Sequence, residues 1–231
     1  MRGFTLVEMV VVLMIIVLVT TIAITGQNTF NRSLILTDTA YTIAFSLREA
    51  QALGLSSRFA GTNTLGANIY NAGYGIRFST LTPTSYVLYA DTYPAEPGSQ
   101  QGGDCPGHTE PSTSPDAHPG NCLYDPSATS PAELIRTYTL NQGYTIYKFC
   151  GREDGGSNGL LCSDEDFETM HLTFMRPSTD SAMFGLPAGG GAPIPLSDAT
   201  IYLRAPGATD SAGERCILVS KVGQIAVDSC P

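Results

Sequence analysis

Residues 4 to 24 read FTLVEMVVVLMIIVLVTTIAI, an apolar run in which Glu8 is the one charge. As a helix rising ~1.5 Å per residue the run would be ~31 Å long, against ~30 Å for the hydrocarbon core of a bilayer. Length alone predicts a transmembrane helix over 4–25. A cleavable secretory signal has a shorter apolar core followed by a small-residue site, whereas here the small residue, Gly3, precedes the run. A carboxylate in such a helix costs ~2.5–3.5 kcal/mol at the bilayer centre and less near the interface, and intramembrane acids are usually paired. Glu8 therefore has two readings: an interfacial or protonated acid in an ordinary membrane-anchored periplasmic domain, or an acid awaiting a cation from another subunit.

Beyond the run, Leu36, Ala40, Ile43, Leu47, Ala50 and Gly54 recur at alternating spacings of four and three. That is one face of an amphipathic helix. The residues between them are polar, so 26–57 reads as a continuation of the helix that lays this stripe on a folded domain.

The remaining chain, 58–231, carries short runs rich in Val, Ile, Thr, Tyr and Phe between turn residues, the signature of strands. Candidates are Gly75–Ser79, Ser85–Ala90, Leu134–Leu140, Tyr144–Phe149, Met170–Arg176, Ala199–Arg204, Cys216–Ser220 and Gln224–Asp228. Asn141-Gln142-Gly143 and Lys221-Val222-Gly223 read as hairpin turns. The expected class is α+β, one long helix on an antiparallel sheet. Residues 91–133, crowded with Pro, Gly, Ser and Asp, read as a long surface loop inserted in that domain. Acidic residues outnumber basic ones 21 to 12, and the net charge is −9. Such a balance argues against a general nucleic-acid-binding role, which needs clustered cations facing phosphate.

The six cysteines are Cys105, Cys122, Cys150, Cys162, Cys216 and Cys230. Six allow fifteen disulfide connectivities, and the local pairs 105–122, 150–162 and 216–230 are favoured. Cys150 and Cys162 bracket a Gly-rich run, and Cys216 and Cys230 flank an apparent hairpin. Cys105, His108, His118 and Cys122 have spacings a zinc site could use, but the residues between them offer almost no apolar content for a metal-nucleated core. The acidic run Asp164-Glu165-Asp166 lacks the spaced pattern of a familiar calcium loop. No nucleophile elbow, phosphate loop or H-E-x-x-H occurs in the sequence. The reading is a non-enzyme with no catalytic residue, metal or cofactor.

Arg2-Gly3-Phe4-Thr5-Leu6-Val7-Glu8, running directly into the apolar segment, resembles the processing signal of type IV prepilins and type II secretion pseudopilins. Leu47-Arg48-Glu49-Ala50-Gln51-Ala52-Leu53, Met170 to Pro177 and Ile217 to Val227 are similar to the later helix and strands of GspH/FimT-like minor pilins and pseudopilins. The resemblance implies a pilin-like fold with a transmembrane first half of the helix. Residues 1–3 would be a leader, removed by a prepilin peptidase that cuts between Gly3 and Phe4 and methylates the Phe4 amine. Glu8 would meet the Phe4 amine of a neighbouring subunit during assembly. The implied partners are that peptidase, other pilin or pseudopilin subunits and the inner-membrane assembly machinery. The implied place is the inner membrane, single-pass with the domain outside, and then a type IV pilus or type II secretion filament. Export to an oxidising compartment agrees with disulfides. A tip adhesin or cargo recruiter using the 91–133 loop is the alternative within the same resemblance.

Overall fold

The helix begins where the sequence offers a cap. Thr5 stands in extended backbone, and its hydroxyl accepts from the Glu8 N–H at 3.3 Å, satisfying one of the donors left over at a helix start. Helix α1 then runs Leu6–Leu55 and stops at Ser56, whose N–H and hydroxyl both reach the Leu53 carbonyl. The computed structural model describes residues 3–56, 58–62, 68–70, 72–92, 120–127, 132–155, 159–176, 179–189, 191–209 and 213–230. The side chains of 23 and 25–30 lie outside that description.

The expected membrane span is corrected here. Among the described residues no helix is long and apolar enough to cross a membrane. Phe4 and Thr5 precede the helix as its entry and cap rather than adding to its length. The transmembrane half of the expected fold class and the single-pass inner-membrane location are therefore not supported. The fold is dominated by antiparallel β-structure.

Thirteen strands are described: β1 (Gly61–Thr62), β2 (Asn68–Ile69), β3 (Gly73–Ser79), β4 (Ser85–Asp91), β5 (Leu134–Thr139), β6 (Thr145–Arg152), β7 (Leu160–Cys162), β8 (Thr169–Phe174), β9 (Ser181–Leu186), β10 (Ile194–Leu196), β11 (Asp198–Arg204), β12 (Glu214–Ser220) and β13 (Ile225–Asp228). They form a small β1–β2 ribbon and two larger antiparallel sheets. The first sheet has the order β10-β9-β8-β3-β4-β5 and the second β13-β12-β11-β6-β7.

The turn at 141–143 is present, with Gln142 and Gly143 both at positive φ. It does not close a hairpin, however: β5 before it belongs to the first sheet and β6 after it to the second. By contrast, the 221–223 turn does join paired strands, β12 and β13, with Gly223 at φ 77°. Strands β1, β2, β7, β9 and β10 are additions to the sequence reading, the last two paired with each other. The turn-forming neighbours of these two, Gly189 and Pro193 among them, mask two short strands, and Pro195 sits in β10 at a sheet edge, where a missing N–H is tolerated.

One apolar core joins the three layers. Leu36, Ala40, Ile43, Leu47 and Ala50 from α1 pack with Ile76, Phe78, Leu88, Met170, Leu172 and Phe174 of the first sheet. Ile146, Phe149, Ile201, Leu203, Ile217 and Val219 of the second sheet complete it. At the seam with the last hairpin, Arg48 donates to the Ile225 carbonyl and Gln51 to the Gly223 carbonyl.

Candidate functional site

The described part of the segment expected to be processed is exposed. Gly3, Phe4 and Thr5 lie in non-helical backbone ahead of α1, and Phe4 is 78% exposed. A Cβ added at Gly3 would meet nothing within 4 Å, so packing within the chain gives no reason for a glycine there. Glu8 is exposed in the first turn of the helix. Its side chain and Phe4 share the start of one uninterrupted exposed surface, which continues through Leu6, Met9, Leu13 and Ile16. Arg2 lies outside the described residues.

Among the described residues, two disulfides have both of their cysteines in place, Cys150–Cys162 and Cys216–Cys230. The first joins directly opposed residues of β6 and β7, and the second ties the start of β12 to the chain just after β13. Cys122 is also disulfide-bonded. Cys105, His108 and His118 lie outside the described residues. Among the described residues no group of three or more His, Cys, Asp or Glu is placed to hold a metal ion. Asp164 instead pairs with Lys148 at 2.9 Å, and Asp166 accepts from the Cys162 N–H at 2.7 Å.

The described ends of the 91–133 segment are buried rather than superficial. Strand β8 is buried on both faces: Met170, Leu172 and Phe174 enter the core, while Thr169, His171 and Thr173 face the chain at 120–125. That chain is clasped from two sides. Asp91 accepts from the N–H groups of Asn121 (3.0 Å) and Cys122 (2.7 Å). Glu133 accepts from those of Thr92 (3.0 Å) and Asp125 (2.6 Å). The Cys122 carbonyl accepts from Thr173 at 2.9 Å, and the Tyr89 hydroxyl lies 2.6 Å from the Thr173 hydroxyl. His171 Nδ1 accepts from the Tyr124 N–H at 3.0 Å, which places its proton on Nε2, 3.1 Å from the Thr169 hydroxyl. Gly120 is dictated by closeness: a Cβ would lie 2.0 Å from Asp91 Oδ1.

Burial sets the protonation of this cluster. Removal from water, and then the neighbouring Glu133 carboxylate, push the Asp91 carboxyl well above the usual range against the pull of its two backbone N–H bonds. Burial, reinforced by the Arg77 cation, pushes His171 down to about 3, so the imidazole is neutral. The Tyr89 phenol is raised chiefly by burial. These groups fix a chain segment; none is presented to solvent as an acid or base. Sequence reasoning missed Asp91 and Glu133 as site residues. Their signal was faint, a pair of acids at the two edges of one loop-like stretch.

No protein-family model, curated protein or solved structure matches this chain.

Proposed function

We propose that the chain is a structural subunit of a type IV pilin-like filament, a minor pilin or pseudopilin, processed between Gly3 and Phe4 and assembled through its N-terminal helix. The observation that carries this reading is the continuous exposed apolar surface of the helix from Leu6 to Ile22, interrupted only by Glu8 and two threonines. A folded domain leaves so large an apolar surface uncovered where another surface is meant to cover it. Neighbouring copies of the same helix would do so. Glu8 would then act on register. Once desolvated among apolar helices, an acid left without its cation costs ~3–5 kcal/mol, so an incoming Phe4 amine is accepted only where it meets Glu8. The exposed, non-helical Gly3–Phe4 peptide ahead of the Thr5 cap supports cleavage there, since a peptidase needs unwound backbone.

The test is the mass of the N-terminal peptide from protein produced together with a prepilin peptidase. A terminus at methylated Phe4, lost when Gly3 is replaced by a bulkier residue, is the expected result. An intact Met1 terminus under the same conditions overturns the reading.

A second reading, a tip-binding subunit that uses the segment between 91 and 133, draws support from the clasp. Four backbone N–H groups held by Asp91 and Glu133 anchor both described ends of that segment. Deleting 93–119 and testing filaments for surface or cargo binding separates it from a purely structural role.

A further inference from the structure

The outward face of α1 carries a second stripe that the filament reading leaves unused. Leu34, Asp38, Tyr41, Phe45, Arg48 and Ala52 are all exposed, at spacings of four, three, four, three and four. This is the spacing of a two-helix coiled-coil seam, on the side opposite the stripe that packs on the sheets. Leu34 is 52% exposed, Tyr41 50% and Phe45 64%, a large apolar content for a solvent face. Among the described residues neither Asp38 nor Arg48 has an ion-pair partner; Arg48 donates to the Ile225 carbonyl and lies over the Phe45 ring at 5.8 Å.

The order of residues along this stripe has a symmetry. Asp38 and Arg48, Tyr41 and Phe45, and Leu34 and Ala52 form three pairs that share one midpoint, residue 43. When two copies of a helix pack antiparallel about a two-fold axis, residues equidistant from the axis on either side face each other, and the same patch serves both partners. About an axis at residue 43, Asp38 faces Arg48 of the second copy and Arg48 faces its Asp38. Tyr41 faces Phe45, and Leu34 faces Ala52. Each layer joins one position of the first seam type to one of the second. Packed parallel and in register, the same stripe would set Asp38 against Asp38 and Arg48 against Arg48, an arrangement that like-charge repulsion disfavours. The domain lies on the other side of the helix, and the two apolar ends, 6–22, would point away from each other.

We infer that the outward face of α1 between Leu34 and Ala52 is a homodimer surface, engaging a second copy of this chain antiparallel with mutual Asp38–Arg48 pairs around a Tyr41–Phe45 centre. This pairing is independent of the filament reading, and it occupies the helix in the orientation opposite to that of parallel subunits.

The experiment is a double charge reversal read by sedimentation equilibrium on the full chain in mild detergent. The unaltered chain forms a dimer. Asp38→Arg and Arg48→Asp each weaken it about tenfold or more, because each sets like charges face to face. The double variant Asp38→Arg/Arg48→Asp regains the original affinity. A chain that stays monomeric at about 100 µM overturns the inference, as does a dimer that the single reversals leave unchanged or the double fails to restore. Phe45→Ser, exposed and outside the core, weakens the dimer independently of charge, and circular dichroism on every variant establishes that the fold is retained. N-terminal processing is unaffected in all of them, so failure of this pairing leaves the filament reading standing, and the reverse.

Discussion

Ser46 Oγ and Tyr86 Oη lie 2.9 Å apart in the buried seam between α1 and the first sheet, where they pin the helix to β4. Tyr86 also stacks on Tyr138, with centroids 4.9 Å apart. Replacing Tyr86 by Phe leaves Ser46 its other partner, the Thr42 carbonyl at 3.1 Å, and should cost ~1 kcal/mol in urea unfolding. Tyr86→Ala also opens a cavity and should cost ~3–5 kcal/mol. Burial pushes the Tyr86 phenol up to about 12. Its folded value is above the ordinary one near 10, so its contribution is complete below pH 10 and lost as pH rises toward 12. A spectrophotometric titration should show at least two tyrosines, Tyr86 and Tyr89, resisting ionisation until the fold gives way.

Gly120→Ala should loosen the clasp. The added methyl group collides with the Asp91 carboxyl, so either the acid or the chain at 120–122 must move. The expected loss is ~2–3 kcal/mol, read by thermal unfolding, together with faster hydrogen exchange at the N–H groups of Asn121 and Cys122.

The clasp also predicts opposing pH slopes. His171 is depressed to about 3, below its unfolded value near 6.5, so its contribution is complete above pH 6.5 and is lost as pH falls toward 3. Asp91 is raised, so its contribution is complete below the unfolded value near 3.9 and is lost as pH rises through its elevated folded value. His171→Gln should therefore tilt the stability profile between pH 4 and 7 downward with rising pH, and Asp91→Asn should tilt it upward. Urea midpoints across that range check both signs.

Removing Cys150–Cys162 by the double Ser variant should cost ~3 kcal/mol, since the bond closes a short loop in the unfolded chain. It should also free β7, a three-residue edge strand held to β6 over only three residue pairs. Proteolysis should then cut near 156–160 while the rest of the second sheet remains protected.

Glu8→Ala should change unfolding by less than ~0.5 kcal/mol, because Glu8 is exposed and donates to the Thr5 hydroxyl through its backbone N–H alone. Filament yield in cells should drop sharply. A large shift in melting temperature would contradict an assembly role.

The helix stripe at Leu36, Ala40, Ile43 and Leu47 could be read because a period near 3.6 is written into the chain itself. Strands β3, β4, β8 and β12 were legible for a different reason, their runs of β-branched and aromatic residues between turn residues. The chain does not write down which sheet a strand joins. The 141–143 turn has the local chemistry of a hairpin, yet β5 and β6 part company there, since partner choice is made by distant strands. His171 and Thr173 look like outward, polar positions of β8; they are buried because the chain at 120–125 covers them. No periodicity encodes contacts such as Asp91 to Asn121. The apolar run suggested a membrane span because its length was counted from the sequence, whereas among the described residues no helix is long and apolar enough to cross a membrane.

The bond between Cys216 and Cys230 has a mechanical meaning. The helix is attached to the last hairpin by Arg48 to Ile225 and Gln51 to Gly223. Part of any tension applied along α1 thus reaches β13, a strand at a sheet edge that would otherwise peel away one hydrogen bond at a time. The disulfide ties that strand's far end to β12, so peeling stops at a covalent stitch. Load then passes into the five-stranded sheet as shear, which many bonds share at once. A chain built this way can be pulled by its helix without unravelling from its end.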